Sequence, residues 1–167
     1  MLTATLWVAF GVIAAAFIAR GVKISEFRQA WIDSLRSDIS EYISKAHEWI
    51  DLYIEFNSGL KQDKKMELHP KLERLKYEAL HIHSRISLRF KPGDIAGDKL
   101  IEQLSYLLDP SKLKSESRYS SWRDLSDLAI LDARELLKEE WEKTKKPWYK
   151  INLIAAKIVN IITKNHY

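Results

Sequence analysis

Residues 2–19, LTATLWVAFGVIAAAFIA, decide how the rest of the chain is interpreted. The stretch carries no charge, because all 27 basic and all 23 acidic residues of the 167-residue chain lie at or beyond Arg20. As a helix rising 1.5 Å per residue it is about 27 Å long, close to the thickness of the hydrocarbon core of a bilayer. The sequence therefore predicts a transmembrane anchor over residues 1–20, with the lipid bilayer as a partner.

The charges that follow this stretch predict its topology. A cleaved signal peptide has basic residues before its apolar run, whereas here Arg20, Lys23 and Arg28 come after it. By the positive-inside rule we expect an uncleaved, single-pass protein of the bacterial inner membrane, with its N-terminus outside and residues 21–167 in the cytoplasm. The alternative is a buried core helix of a soluble protein.

Two stripes on the anchor helix suggest how it packs. Gly11 and Ala15 begin a small-residue pattern repeating every four positions, which allows helices to approach closely in lipid. Phe10 and Phe17 lie on a second stripe, and in a ring of helices they would form an apolar constriction that gates by dewetting. The alternative is that alanine and glycine occur in apolar anchors without any such role.

The remaining sequence predicts an all-α domain over residues 21–167. Its net charge is +4, and the absence of cysteine excludes disulfides, thiolate zinc sites and thiol catalysis. Glycine and proline divide it into segments with a helical period and without alternating β-branched runs. We expect an antiparallel, homo-oligomeric helical bundle with helices at 22–57, 70–90, 99–109, 121–146 and 148–164, with Asp98 as one N-cap and Ser121 and Asp124 as a capping box.

The first of these helices carries a regular apolar seam. Its large side chains follow one another by three or four residues, a coiled-coil-like spacing. Nothing but Gly21 interrupts the path from the anchor, so a single helix of about 50 residues is expected. The seam is predicted to hold subunits together through Trp31, Leu35, Ile39, Tyr42 and Trp49.

The C-terminal segment 148–164 is amphipathic and too short to span a bilayer. It is expected either to pack as a last helix of the bundle or to lie on a membrane surface. Lys145 and Lys146, followed by Trp148, are typical of a segment that faces anionic lipid.

The stretch RLKYEALH, residues 74–81, places an arginine seven positions before a histidine. This spacing resembles the R-x(4–6)-H motif of the HEPN ribonuclease superfamily, whose members are helical bundles that dimerise. The resemblance implies that Arg74 binds the scissile phosphate and that His81 acts in acid–base catalysis. The alternative is a solvated stripe held by pairs such as Arg74 with Glu78.

The sequence gives only weak indications of a metal site or of an anion-binding site. Glu78-x-x-His81 resembles half of a di-iron carboxylate pattern, but the sequence has no second copy, so we expect no metal and no cofactor. Contacts with an anion or a nucleotide would fall to basic side chains on or near the helical surface: Arg74, His81, Arg85, Lys145 and Lys146.

Residues 23–43, KISEFRQAWIDSLRSDISEYI, come directly after the anchor and resemble the juxtamembrane region of small bacterial membrane proteins found in mobile or anti-phage contexts. The layout of one anchor and a helical bundle is similar to the membrane accessory protein of type VI-B CRISPR systems and to the membrane effector of Hailong-type defence. These resemblances imply an oligomer that opens or perturbs the membrane when a cytoplasmic signal arrives.

The sequence is compatible with three functions. The first is a membrane pore effector that responds to a nucleotide, an oligonucleotide or RNA, or to a partner defence protein. The second is a membrane-tethered HEPN-like ribonuclease, and the third is a non-catalytic membrane scaffold.

Overall fold

The structure is a computed structural model that describes the backbone of residues 2–164 and the side chains of residues 7–144. Within that range it consists of helices and turns, without strands. The elements are α1 (Leu2–Phe56), α2 (Gln62–Ser87), α3 (Ile95–Tyr106), a short 3-10 turn (Pro110–Lys112) and α4 (Arg118–Lys164). The predicted all-α class is confirmed.

Helix α1 runs for 55 residues from Leu2 to Phe56. Gly21 lies in its interior and does not end it, because one glycine costs a helix only about 1 kcal/mol relative to alanine. The predicted long apolar N-terminal helix is thus observed.

Helix α2 begins at Gln62, eight residues before the predicted start, and contains Pro70. Proline removes one backbone hydrogen bond and disfavours a helix interior. Here Leu68 and Leu72, on either side of it, are both 7% exposed, and Lys71 Nζ lies 3.0 Å from Glu67 Oε1. Packing of the flanking turns holds the helix together across the proline.

Helices α3 and α4 also differ from the predicted bounds. Asp94, not Asp98, caps α3, and its side chain accepts a hydrogen bond from the Gly97 amide. Helix α4 begins at Arg118, so Ser121 lies inside its first turns, where its hydroxyl donates to the Arg118 carbonyl. The same helix continues through Pro147, where two helices are predicted, because the loss of one amide donor does not oblige a helix to end.

The chain divides into two compact units. One comprises Ser34–Leu137, and the other is formed by the two ends of the chain, up to Asp33 and from Lys138. The first unit contains the C-terminal part of α1, all of α2 and α3, and the N-terminal part of α4.

Within Ser34–Leu137, α1 and α2 form an antiparallel hairpin. Asp38 lies 2.9 Å from Arg85 near the start of this part of α1, and Lys45 lies 3.3 Å from Glu78 further along. Residues later in α1 contact residues progressively earlier in α2, which is the pattern of two helices running in opposite directions.

The core of this unit lies between α1 and the three helices that cover it. Tyr42 is fully buried, and its hydroxyl donates to the Leu104 carbonyl at 2.6 Å, while burial raises the pKa of the phenol. Trp122 is 3% exposed and its indole N–H donates to the Leu107 carbonyl at 3.0 Å. The two bonds tie α1 and α4 to carbonyls at and just after the C-terminal end of α3, where a helix lacks the amide donors of a following turn.

Close packing at the start of α3 requires a glycine. A Cβ atom built on Gly97 would lie 2.5 Å from the Phe90 ring, inside van der Waals contact. The missing side chain lets the loop after α2 fold directly against α3.

Candidate functional site

None of the side chains that the structure describes covers the N-terminal part of α1. Every described residue from Trp7 to Arg20 is exposed, including Trp7 at 70%, Phe10 at 52% and Phe17 at 60%. An apolar surface of this extent, exposed on all sides of a helix, is typical of a segment that contacts lipid or another protein. Among the described residues, α1 is the one helix long and apolar enough to cross a membrane.

The residues predicted to pack or gate the anchor lie on this exposed stretch. A Cβ atom built on Gly11 would meet nothing within 4 Å, and Ala15 is likewise exposed. Phe10 and Phe17 also point away from any described part of the chain, so all four positions are free to meet a second helix.

The residues predicted as an intersubunit seam are buried, unlike the exposed residues of the anchor. Leu35, Ile39, Tyr42 and Trp49 are each 5% exposed or less within the single chain. Trp31 is half-buried. Side chains covered this completely retain no surface for a second copy, so in this fold the seam builds the chain's own core.

A cluster of charged side chains joins α1 to α2. The side chain of Asp38 is 8% exposed, and it accepts a hydrogen bond of 2.7 Å from Arg89 Nε and pairs with Arg85 Nε at 2.9 Å. Arg89 also donates to the Ser34 hydroxyl at 2.6 Å, and Arg85 pairs with Glu41. A buried carboxylate is stable only with such partners, so the arrangement fastens the two helices at the Ser34 end of the hairpin.

The predicted ribonuclease residues lie on the solvent face of α2. Arg74 is 80% exposed along its side chain, and its Nε lies 2.8 Å from Glu78 Oε1. Hydrogen bonds from Arg74 and then Lys45 lower the pKa of Glu78. His81 is exposed and has no hydrogen bond or ion pair to any side chain that the structure describes. The solvated stripe is thus present as the spacing suggests, and no described cleft encloses Arg74 and His81.

The remaining predicted anion contacts are occupied or lie outside the described side chains. Arg85 is held by Asp38 and Glu41. Lys145 and Lys146, with the predicted amphipathic segment 148–164, lie beyond the last described side chain. Over residues 7–144, no group of three or more His, Asp or Glu side chains is placed to hold a metal ion.

One cavity of about 440 Å³ in the Ser34–Leu137 unit was not predicted from the sequence. The His47 ring stacks on Trp122, with ring centroids 5.2 Å apart, and its Nε2 lies 2.8 Å from the Tyr119 hydroxyl. Arg123 and Asp127 provide charges of opposite sign at the same opening. Its lining consists of Ile43, Ser44, His47, Tyr119, Trp122, Arg123, Ser126 and Asp127.

Sequence spacing gave little indication of this cavity. His47 and Trp122 are 75 positions apart and no motif links them. The one available signal was polar residues, Ser44 and His47, beside the apolar seam of α1.

No protein-family model, curated protein or solved structure matches the chain.

Proposed function

We propose that this protein is a membrane-anchored oligomeric effector whose N-terminal helix forms or gates a pore in response to a cytoplasmic signal. The observation that carries the proposal is the exposed apolar surface of α1 from Trp7 to Ile18, which has no charge and no described side chain against it. In water such a surface is unfavourable by about 25 cal/mol per Å² of apolar area, and a bilayer removes that penalty.

The proposed topology follows from charge. Arg20, Lys23 and Arg28 follow the apolar stretch within nine positions, and residues 1–19 carry no charged side chain. An excess of basic residues next to a span favours the cytoplasmic side, so the Ser34–Leu137 unit would face the cytoplasm.

The pore part of the proposal rests on the four exposed anchor positions. Gly11 and Ala15 would let neighbouring anchors approach closely, and Phe10 and Phe17 would narrow the axis between them. An apolar constriction excludes water and ions while closed, and a small rotation of the helices would rehydrate it.

The cavity beside His47 is our candidate for the site that receives the signal. The stacked His47 ring offers a face for a planar base, and Arg123 offers a guanidinium for a phosphate. A nucleotide matches this combination, and by the resemblance of residues 23–43 the biological setting would be anti-phage defence.

The anchor and the pore are tested separately on the full chain. We expect the protein to stay with bacterial membranes after carbonate extraction, and its C-terminal unit to be digested only when protease reaches the cytoplasmic side. In dye-loaded vesicles, the double variant Phe10→Ser/Phe17→Ser should leak without any signal, because the apolar constriction is gone.

Two matched variants refine the pore test. Adding Gly11→Ile and Ala15→Ile to the leaking variant should close the leak by separating the anchors, whereas Val8→Ile should leave it unchanged. Vesicles that stay tight with Phe10→Ser/Phe17→Ser would refute the pore and leave the anchor standing.

The signal site has its own measurement. Calorimetric titration with ATP as the probe nucleotide should show binding that His47→Ala and Arg123→Ala each weaken by about tenfold, or about 1.4 kcal/mol. Gln62→Ala serves as the control, because it is an exposed change on α2, a helix that contributes no residue to the lining of the cavity. Equal heats for all four proteins would remove the nucleotide from the proposal.

A further inference from the structure

Two helices of the Ser34–Leu137 unit carry large apolar side chains on their outer faces. On α2, Tyr77 is 68% exposed and Leu80 is 41% exposed, three residues apart. On α4, Leu128 is 45% exposed and Leu131 is 50% exposed, also three residues apart. Each pair forms a short apolar ridge on a face that the fold leaves uncovered.

Both ridges point away from the core of the unit. Tyr77 lies on the side of α2 opposite Ala79 and Ile82, which are 0% and 3% exposed. Leu131 lies on the side of α4 opposite Ala129 and Ala133, which are 0% and 4% exposed. A large part of each ridge therefore remains outside the core of the unit.

The charges around the two ridges are opposite in sign. Two charges do not belong to these outer faces, because Arg85 pairs with Asp38 and Glu41, and Asp132 pairs with Lys99. Without them, residues 71–84 of α2 contain three basic and two acidic side chains, and residues 124–135 of α4 contain three acidic and one basic. Around Leu128 and Leu131 the acids include Asp124 and Glu135, both exposed. Two α2 faces or two α4 faces would repel each other, while one α2 face and one α4 face attract.

From these faces we infer that the outer face of α2 in one copy docks on the outer face of α4 in the next copy. The apolar pair Tyr77 and Leu80 would pack against Leu128 and Leu131 between flanking charges of opposite sign. The inference rests on the proposed oligomer and specifies its contact surfaces outside the membrane.

The two faces are different surfaces of one chain, so the contact is head-to-tail. Every copy then offers one free α2 face and one free α4 face, and such contacts continue until a ring closes. A ring of copies places their anchors around a common axis, which is the arrangement that a pore needs.

The area of the contact explains why it would depend on the anchor. The α2 face from Met66 to Leu80 is about 21 Å long at 1.5 Å per residue. One helix face of that length buries well under the roughly 800 Å² per partner of a stable complex. Anchoring confines the copies to one membrane and raises their effective concentration, which a weak contact requires.

The absence of cysteine from the chain allows a direct test in membranes. A full chain with Tyr77→Cys and a full chain with Leu128→Cys, produced together and oxidised in the membrane, should form a disulfide-linked dimer. Each variant alone should give at least about tenfold less dimer, because like faces do not meet. A single chain with both changes should give a ladder of covalent multimers.

Matched controls show whether the contact is specific. Ile95→Cys, at a position on α3 that is more exposed than Tyr77, should not link to Leu128→Cys. Adding Leu131→Asp to the Leu128→Cys chain should reduce the mixed dimer by about tenfold, since it puts an acid into the apolar ridge.

The outcomes separate this inference from the proposed function. Dimers from Tyr77→Cys alone, equal in yield to the mixed dimer, would overturn the head-to-tail contact in favour of pairing between like faces. No cross-link in any pair, with the leak of the Phe10→Ser/Phe17→Ser protein retained, would overturn this interface and leave the pore intact. Loss of both the cross-link and the leak would overturn the interface and the pore together.

Discussion

Two stretches of the same helix, α1, are both rich in large apolar side chains and have opposite surroundings. From Trp7 to Ile18 every described side chain is exposed. From Leu35 to Ile50 the apolar side chains on one face are 5% exposed or less. Apolar content alone therefore does not decide whether a helical segment is covered by its own chain.

The difference between the two stretches is periodicity. The second stretch carries Arg36, Ser37 and Ser40 on the face away from the core, so it presents one side to water and one to the protein. The first stretch has no polar face that water could solvate, so it is not an amphipathic helix of the kind found on soluble proteins. A helix that is apolar on all sides is stable only in an apolar environment, whereas a helix that is apolar on one face needs only one surface to cover that face.

The largest effect is expected from charging the first stretch. Val12→Asp with Ala15→Asp should move the protein out of the membrane fraction, since a charge at the centre of a span costs about 2.5–3.5 kcal/mol. Carbonate extraction and immunoblotting measure the change. The control, Ser37→Asp with Ser40→Asp, has the same spacing on the exposed face of the second stretch and should leave the protein in the membrane. If the Val12→Asp/Ala15→Asp protein stayed in the membrane fraction, the first stretch would not be the membrane anchor.

Truncation should separate the two stretches by stability. Leu35→Ala removes a fully buried side chain and should lower the free energy of unfolding by about 2–5 kcal/mol. Phe10→Ala, at a side chain 52% exposed, should change it by less than about 0.5 kcal/mol. Denaturant titration in detergent followed by circular dichroism measures both, and comparable losses would contradict the assigned core.

The third prediction concerns the ion pairs of Asp38 with Arg85 and Arg89, which join the second stretch to α2. Asp38→Asn leaves Arg85 and Arg89 without their shared carboxylate and should lower the free energy of unfolding by about 2–3 kcal/mol. That is less than for a fully buried pair, because the Arg85 side chain is 40% exposed. Glu41→Gln, at a side chain 50% exposed, should have an effect below about 1 kcal/mol. A larger loss for Glu41→Gln than for Asp38→Asn would refute the role given to Asp38.

The smallest effect concerns the exposed pair that joins the same two helices further along. The pKa of Glu78 is lowered by Arg74 and Lys45, so its contribution to stability exists above the unfolded pKa and disappears as the pH falls through the folded one. Glu78→Gln should therefore lower the melting temperature slightly at pH 7 and leave it unchanged at pH 3. Gln62→Ala, an exposed change at a residue that does not titrate, is the control. An equal difference for Glu78→Gln at both pH values would contradict the assignment.

The sequence was sufficient for features that depend on neighbouring positions. The charge-free run before Arg20 predicts a long apolar helix, and the three-and-four spacing around Tyr42 predicts which face of α1 is apolar. The four-residue spacing of Arg74 and Glu78 likewise predicts their ion pair, because residues four apart face each other on a helix.

Contacts between segments that are far apart in the chain could not be predicted from the sequence. The partners of Asp38 are about 50 positions away on α2, and the wall of the cavity opposite His47 comes from α4. Pro70 was expected to mark a helix start because sequence reasoning sees the missing amide but not the burial of Leu68 and Leu72 around it.

The sequence alone determined that the chain begins with an uncharged apolar helix and continues as helices with apolar faces, since both follow from charge and period along one segment. The tertiary structure decided that the face bearing Leu35, Tyr42 and Trp49 is covered by the chain's own α2, α3 and α4. It also decided that the described side chains leave the apolar surface from Trp7 to Ile18 exposed. The reason is that helical periodicity is a local property, whereas the surface that covers an apolar face depends on which other segments fold against it.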